Sequence, residues 1–183
     1  MKSCLLLIDV QESFRSRPYF SERDLGAYFA AQNGLLADCE AAGVPVVRIF
    51  HVDGPREAGN PFALESGLVR PLTGLRDCTP AATFHKSRHS ALVGTGLDVW
   101  LTQNGIGRVI VSGIRTEQCC ETTARHASDL GFQVDYVPEA TLTFDMQHED
   151  GSPLPAADIK ARTVAVLKGR FARIRGAAEA LAA

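Results

Sequence analysis

Cys119 lies where a thiol can become a nucleophile. In residues 108–123, RVIVSGIRTEQCCETT, an apolar run from Val109 to Val111 ends in Ser112-Gly113, and a helical pattern begins around Thr116. The pattern predicts a buried strand, a tight turn, and a helix with Cys119 in its first turn. Unpaired backbone N–H groups and the positive end of the helix dipole favour thiolate over thiol there. The same position also reads as a small buried hydrophobe, the state of most free cysteines. A thiolate that attacks an electrophilic carbonyl needs a neighbouring group to ferry protons. Asp9 offers a base. Lys86 offers a charge that keeps a buried aspartate ionised and adds positive potential for the sulfur. The backbone N–H groups of Arg115 and Cys119 are candidates to hold the developing oxyanion.

The elements that must bring these residues together follow from the apolar pattern. Cys4–Asp9 is a short continuous apolar run closed by an acid, suited to a central parallel strand. Ser21-Glu22-Arg23-Asp24 resembles a helix start, and the helix runs to about Ala42, before Gly43. Val44–Phe50 is the next strand. Residues 52–80 are rich in Gly and Pro with weak periodicity, a long segment of the kind that often carries function. Thr83–Lys86 reads as a short strand and Gly96–Asn104 as a helix. Arg108–Ser112 is a strand, Thr116–Leu130 a helix stopped by Gly131, and Phe132–Val137 a strand. Pro155 opens a helix through Leu167, and Phe171–Ile174 is a last strand. This alternation predicts one doubly wound α/β domain over residues 1–183, with a mostly parallel sheet and helices on both faces. Ligands in such sheets bind outside the carboxyl ends of the strands, a rule that selects Asp9, Lys86 and Cys119 for one crevice.

Composition narrows the function classes. The 183 residues are 45% apolar and 22% charged with a formal net charge of -2, and no Lys/Arg block advertises a nucleic-acid or anionic-membrane surface. No apolar run approaches the ~20 residues that span a bilayer. The N-terminal apolar stretch stops at Asp9 without a cleavage site and reads as a strand, not a signal peptide. Five cysteines, odd in number and without C-x-x-C spacing, argue against a disulfide framework and for a cytoplasmic location.

Three blocks, LLLIDVQESF (5–14), FHKSRHSALVGTGLDVWL (84–101) and GIRTEQCCETTARHASDLGFQVDYVPEAT (113–141), resemble the isochorismatase-like cysteine hydrolases over nearly the whole chain. Gly113, Thr116, Cys119 and Thr123 match that family's G-x-x-T-x-x-C-x-x-x-T signature. The resemblance implies a three-layer, Rossmann-like fold with a six-stranded sheet, a catalytic triad of Asp9, Lys86 and Cys119, and a cis peptide between Ile114 and Arg115. It further implies a polar contact near the aspartate from Gln11 and a pocket wall from Phe14, whose alternative is simple core packing. His89, just past Lys86, is a further substrate-binding candidate; Arg88 reads as a surface residue. A homo-oligomer, dimer or tetramer, is implied as well.

Departures from relatives refine the expectation. Nicotinamidases of this group hold a metal through an aspartate and histidines after the second strand. Here His51-Val52-Asp53-Gly54-Pro55-Arg56 lacks that pattern, so no metal is expected and His51 reads as a solvated or hydrogen-bonding residue. Isochorismatases proper lack the nucleophilic cysteine, so Cys119 points to an amide, ureido or similar acyl bond in a small molecule. Gly94-Thr95-Gly96 is not a dinucleotide fingerprint, and no organic cofactor is implied. Cys120 groups with Ala124 and Ala127 on a helix and reads as core. Glu139 stands where relatives often have aspartate. The competing reading is a non-catalytic or redox-sensing relative that uses the Cys119–Cys120 pair or binds a small carbonyl compound.

Overall fold

The computed structural model describes residues 1–182. Among these described residues, eight strands and four α-helices follow in chain order. They are β1 (Lys2–Ile8), α1 (Leu25–Ala41), β2 (Val46–His51), β3 (Ala82–Lys86), α2 (Leu97–Gln103), β4 (Ile106–Ile114), α3 (Glu121–Asp129), β5 (Gln133–Leu142), β6 (Met146–Gln147), β7 (Pro153–Leu154), α4 (Ala156–Leu167) and β8 (Arg173–Ile174). Six strands form one sheet in the order β3-β2-β1-β4-β5-β8, and every pairing in it is parallel. β6 and β7 form a separate antiparallel hairpin that the sequence pattern did not announce.

Alternation along β1 explains the layers. Cys4, Leu6 and Ile8 face a core shared with Leu97 and Leu101 of α2, Ala124 and Ala127 of α3, and Leu167 of α4. Leu5 and Leu7 face the opposite core with Tyr28, Leu35, Leu36 and Cys39 of α1. Successive side chains of a strand point to opposite faces, so a strand covered on both sides is apolar throughout. Cys120 is fully buried in the first of these cores beside Ala124 and Ala127, the placement its helical spacing predicts.

Three element ends differ from the sequence pattern where it matters for the site. β2 runs one residue further and ends at His51. β4 runs two residues past Ser112 to Ile114. The segment after it is a π turn, Thr116–Cys120, in which the Cys120 N–H donates to the Arg115 carbonyl at 3.2 Å before α3 begins. Apolar periodicity reads a helix here because an i→i+5 turn changes the winding over only a few residues.

Candidate active site

Two backbone irregularities shape the crevice at the carboxyl ends of β1 and β4. Asp9 adopts a left-handed conformation with φ 53°, which aspartate tolerates better than most residues. Its N–H donates to the Ile49 carbonyl at 2.8 Å, which ties the residue to β2 as it leaves the sheet. On the other side, the Ile114–Arg115 peptide is cis. The π turn that follows carries Cys119.

Lys86, the last residue of β3, joins the two. Its Nζ lies 2.7 Å from Asp9 Oδ2 and donates to Cys119 Sγ at 3.3 Å. Asp9 and Lys86 are sealed from solvent, and Cys119 retains 6% exposure. The exposed His89 stands at the opening, its Nδ1 3.9 Å from the sulfur. A carboxylate, an ammonium and a thiol from three strand ends therefore occupy one place.

Burial dominates the protonation states. It raises the Asp9 carboxyl above its ordinary value, against the pull of Lys86 and of the hydrogen bond with Cys119. Burial also works against the Lys86 ammonium, but the Asp9 carboxylate and the sulfur prevail and raise it. The Cys119 thiol is pushed up to about 12, by burial first and Asp9 second, with Lys86 opposing. Burial of the sulfur therefore acts against the thiolate that the helix terminus favours. Desolvation disfavours the charged form of the sulfur and of the neighbouring carboxyl alike, which weakens the thiol as an acid and strengthens Asp9 as a base.

The flanking residues divide into those at the opening and those that hold the frame. Gln11 is fully buried with its amide committed to protein: Nε2 donates to Ser13 Oγ at 2.9 Å and to the His51 carbonyl at 3.0 Å, and Oε1 accepts the His51 N–H at 2.7 Å. It joins the ends of β1 and β2 just past Asp9. Phe14 is buried, with its ring edge-on to Phe62 at 5.4 Å. Phe62 also lines a cavity of about 310 Å³ with Val52, Asp53, Arg56, Leu64 and Ser87. That cavity adjoins His51 and Lys86 along the chain and is walled largely by the segment after β2. Arg115 is buried, with its guanidinium over the Tyr19 ring at 4.6 Å and Nη2 2.9 Å from Glu117 Oε1. Arg88 is exposed, and Glu139 accepts the Ala177 N–H at 2.8 Å, tying the C-terminal segment to β5.

His51 is the member that sequence reasoning undervalued. Its Nδ1 lies 3.2 Å from Lys86 Nζ, and the two residues are register partners across β2 and β3. Among the described residues, no group of three His, Cys, Asp or Glu side chains converges as a metal-binding set. Nor, among the described residues, is any helix long and apolar enough to cross a membrane.

Comparison with known proteins finds similarity across most of the chain. The model of the isochorismatase domain matches residues 3–164. The chain is 38% identical over 158 residues to YwoC, an uncharacterized isochorismatase family protein of Bacillus subtilis, covering 81% of this chain and 82% of that one. It is 42% identical over 86 residues to nicotinamidase 3 of Arabidopsis thaliana, a match covering 46% of this chain and 43% of that protein. A crystal structure of a hydrolase assigned to the isochorismatase family, from Chromobacterium violaceum, superposes with a TM-score of 0.86 at 29% identity, covering 97% of this chain and 91% of that one.

Proposed function

The chain belongs to the isochorismatase family, and from that premise we propose that it is a cysteine hydrolase that cleaves a small-molecule amide, ureido or related C–N acyl bond. The observation that carries the reading is the single ammonium of Lys86 in contact with both Asp9 and Cys119. The nicotinamidase among its relatives supports a C–N bond as the target.

The reaction follows from the resting protonation states. Asp9 takes the thiol proton as the sulfur attacks the carbonyl carbon, and Lys86 stabilises the charge that passes through both groups. The backbone N–H groups of Arg115 and Cys119 hold the tetrahedral oxyanion; one such donor contributes roughly 100- to 1000-fold in rate. Collapse breaks the C–N bond, the amine leaves with the proton held by Asp9, and a thioester remains on Cys119. Asp9 then deprotonates a water that attacks the thioester, and the returning proton restores the thiol. A base with a raised pKa suits both transfers better than an ordinary aspartate. His89 at the opening and the cavity beside Phe62 are the candidate substrate contacts, with Phe14 backing that wall.

Complete burial of Cys120 favours this reading over one in which the paired thiols sense oxidants. The proposal extends to a single-domain cytoplasmic enzyme that works as a homo-oligomer, dimer or tetramer, which light scattering on the purified protein measures. The direct test is an ammonia-release screen over small amides, carbamoyl compounds and hydroxamates. Release by the parent protein and none by a Cys119→Ala variant is expected. Silence across the panel, with ready peroxide modification of Cys119, would favour the sensor.

A further inference from the structure

Lys86 has three N–H groups, and three acceptors surround them. Asp9 Oδ2 lies at 2.7 Å, His51 Nδ1 at 3.2 Å and Cys119 Sγ at 3.3 Å. A buried ammonium with only two partners rotates about its terminal bond and leaves one donor unsatisfied. We infer that His51 is a positioning residue: its Nδ1 accepts the third hydrogen of Lys86 and so fixes the ammonium in line with both Asp9 and Cys119.

The surroundings of His51 are consistent with that single task. Its backbone is held on both sides by the Gln11 amide, which accepts the His51 N–H and donates to its carbonyl. Its ring meets the Phe62 ring edge-on at 5.9 Å, which limits rotation of the imidazole. Parallel register places His51 directly opposite Lys86, so the two side chains leave the sheet on the same face. Burial first and the Lys86 charge second push the imidazole down to about 4, which favours the neutral ring, and at 3.2 Å from an ammonium, which only donates, Nδ1 is the nitrogen placed to accept. The remaining nitrogen then carries the proton, as the Nε2–H tautomer. Gln11, His51 and Lys86 form a chain of support that begins at β1 and ends at the sulfur.

This inference rests on the hydrolase reading, but its test does not require the substrate. The rate of Cys119 alkylation by iodoacetamide reports how well Lys86 stabilises the developing thiolate, with peptide mapping to separate Cys119 from the half-buried Cys78. His51→Phe keeps a ring against Phe62 and removes the acceptor; His51→Asn keeps an acceptor near the position of Nδ1. His51→Phe should slow Cys119 alkylation by about tenfold or more, the scale of one hydrogen bond to a charged group. His51→Asn should stay within about threefold of the parent, a rescue that a purely structural role would not produce. Long-range ¹⁵N–¹H spectra of the parent protein should show His51 Nδ1 unprotonated at pH 7. Equal rates in parent and His51→Phe, equal losses in both variants, or a protonated Nδ1 would overturn the inference and leave the hydrolase reading standing. An inert Cys119 in the parent protein would overturn both.

Discussion

A Cβ placed on Gly113 would lie 1.9 Å from the carbonyl oxygen of Ile8. β1 and β4 therefore approach at their carboxyl ends more closely than any side chain allows, and Gly113 holds a φ of 128° that other residues rarely adopt. This contact sits between Asp9 on one strand and the turn that carries Cys119 on the other. Gly113→Ala must separate the strands or break their pairing. It should lower stability by at least about 2 kcal/mol and abolish activity even at temperatures where the protein remains folded. Denaturant midpoints and turnover, measured together, check it.

Lys86 and Asp9 make a buried ion pair, and removing one partner of such a pair is far more damaging than removing a surface bridge. Lys86→Met leaves a carboxylate in an apolar place, where it takes up a proton to escape its charge. Stability should fall by about 3–5 kcal/mol. The proposed base would be neutral, so activity should fall by more than about a hundredfold even in folded protein. A variant that keeps its rate would show that Asp9 needs no counter-charge.

The protein should weaken in alkali. Cys4, Cys39 and Cys119 are each pushed up to about 12, chiefly by burial, from a starting value of 9.0. Above pH 9 the unfolded chain releases these protons while the folded chain keeps them. Their contribution to stability is complete below that pH and is lost as pH rises from 9 through 12. The slope is about 1.4 kcal/mol per pH unit for each thiol. Unfolding free energies at pH 7.5 and 10.5 measure it, and replacing Cys4 with Ala should make the slope shallower.

Cys120 and Cys119 are neighbours with opposite expected responses. Cys120→Ala trims a fully buried side chain from the core of α3 and should cost about 1–2 kcal/mol with turnover nearly unchanged. Loss of activity in a folded Cys120→Ala protein would assign the second thiol a chemical role.

Much of this arrangement was legible in the apolar pattern. Runs such as Cys4–Ile8 and Val109–Val111 declare doubly covered strands, and the strand-end rule reaches Asp9, Lys86 and Cys119 from order alone. What was missed turned on single residues at element ends. His51 reads from the sequence as a solvated or hydrogen-bonding residue, but its pairing with Lys86 depends on the register of β2 on β3, which no local pattern records. The π turn escapes because one inserted residue leaves the 3.6-residue pattern of Ala124 and Ala127 intact. The engagement of Gln11 by the His51 backbone is a long-range contact that no local pattern records. The direction of the Cys119 shift depends on how deeply the sulfur is buried, which follows from the packing of three distant segments.

Acid-quenched mass spectrometry of the protein mixed with a hydrolysed amide bears most directly on Cys119 as the nucleophile. The parent protein should carry the acyl group on Cys119 in a hydroxylamine-sensitive bond, and Cys119→Ala should neither gain that mass nor release amine. Turnover by Cys119→Ala at the parent rate, or an adduct on another residue, would contradict the account.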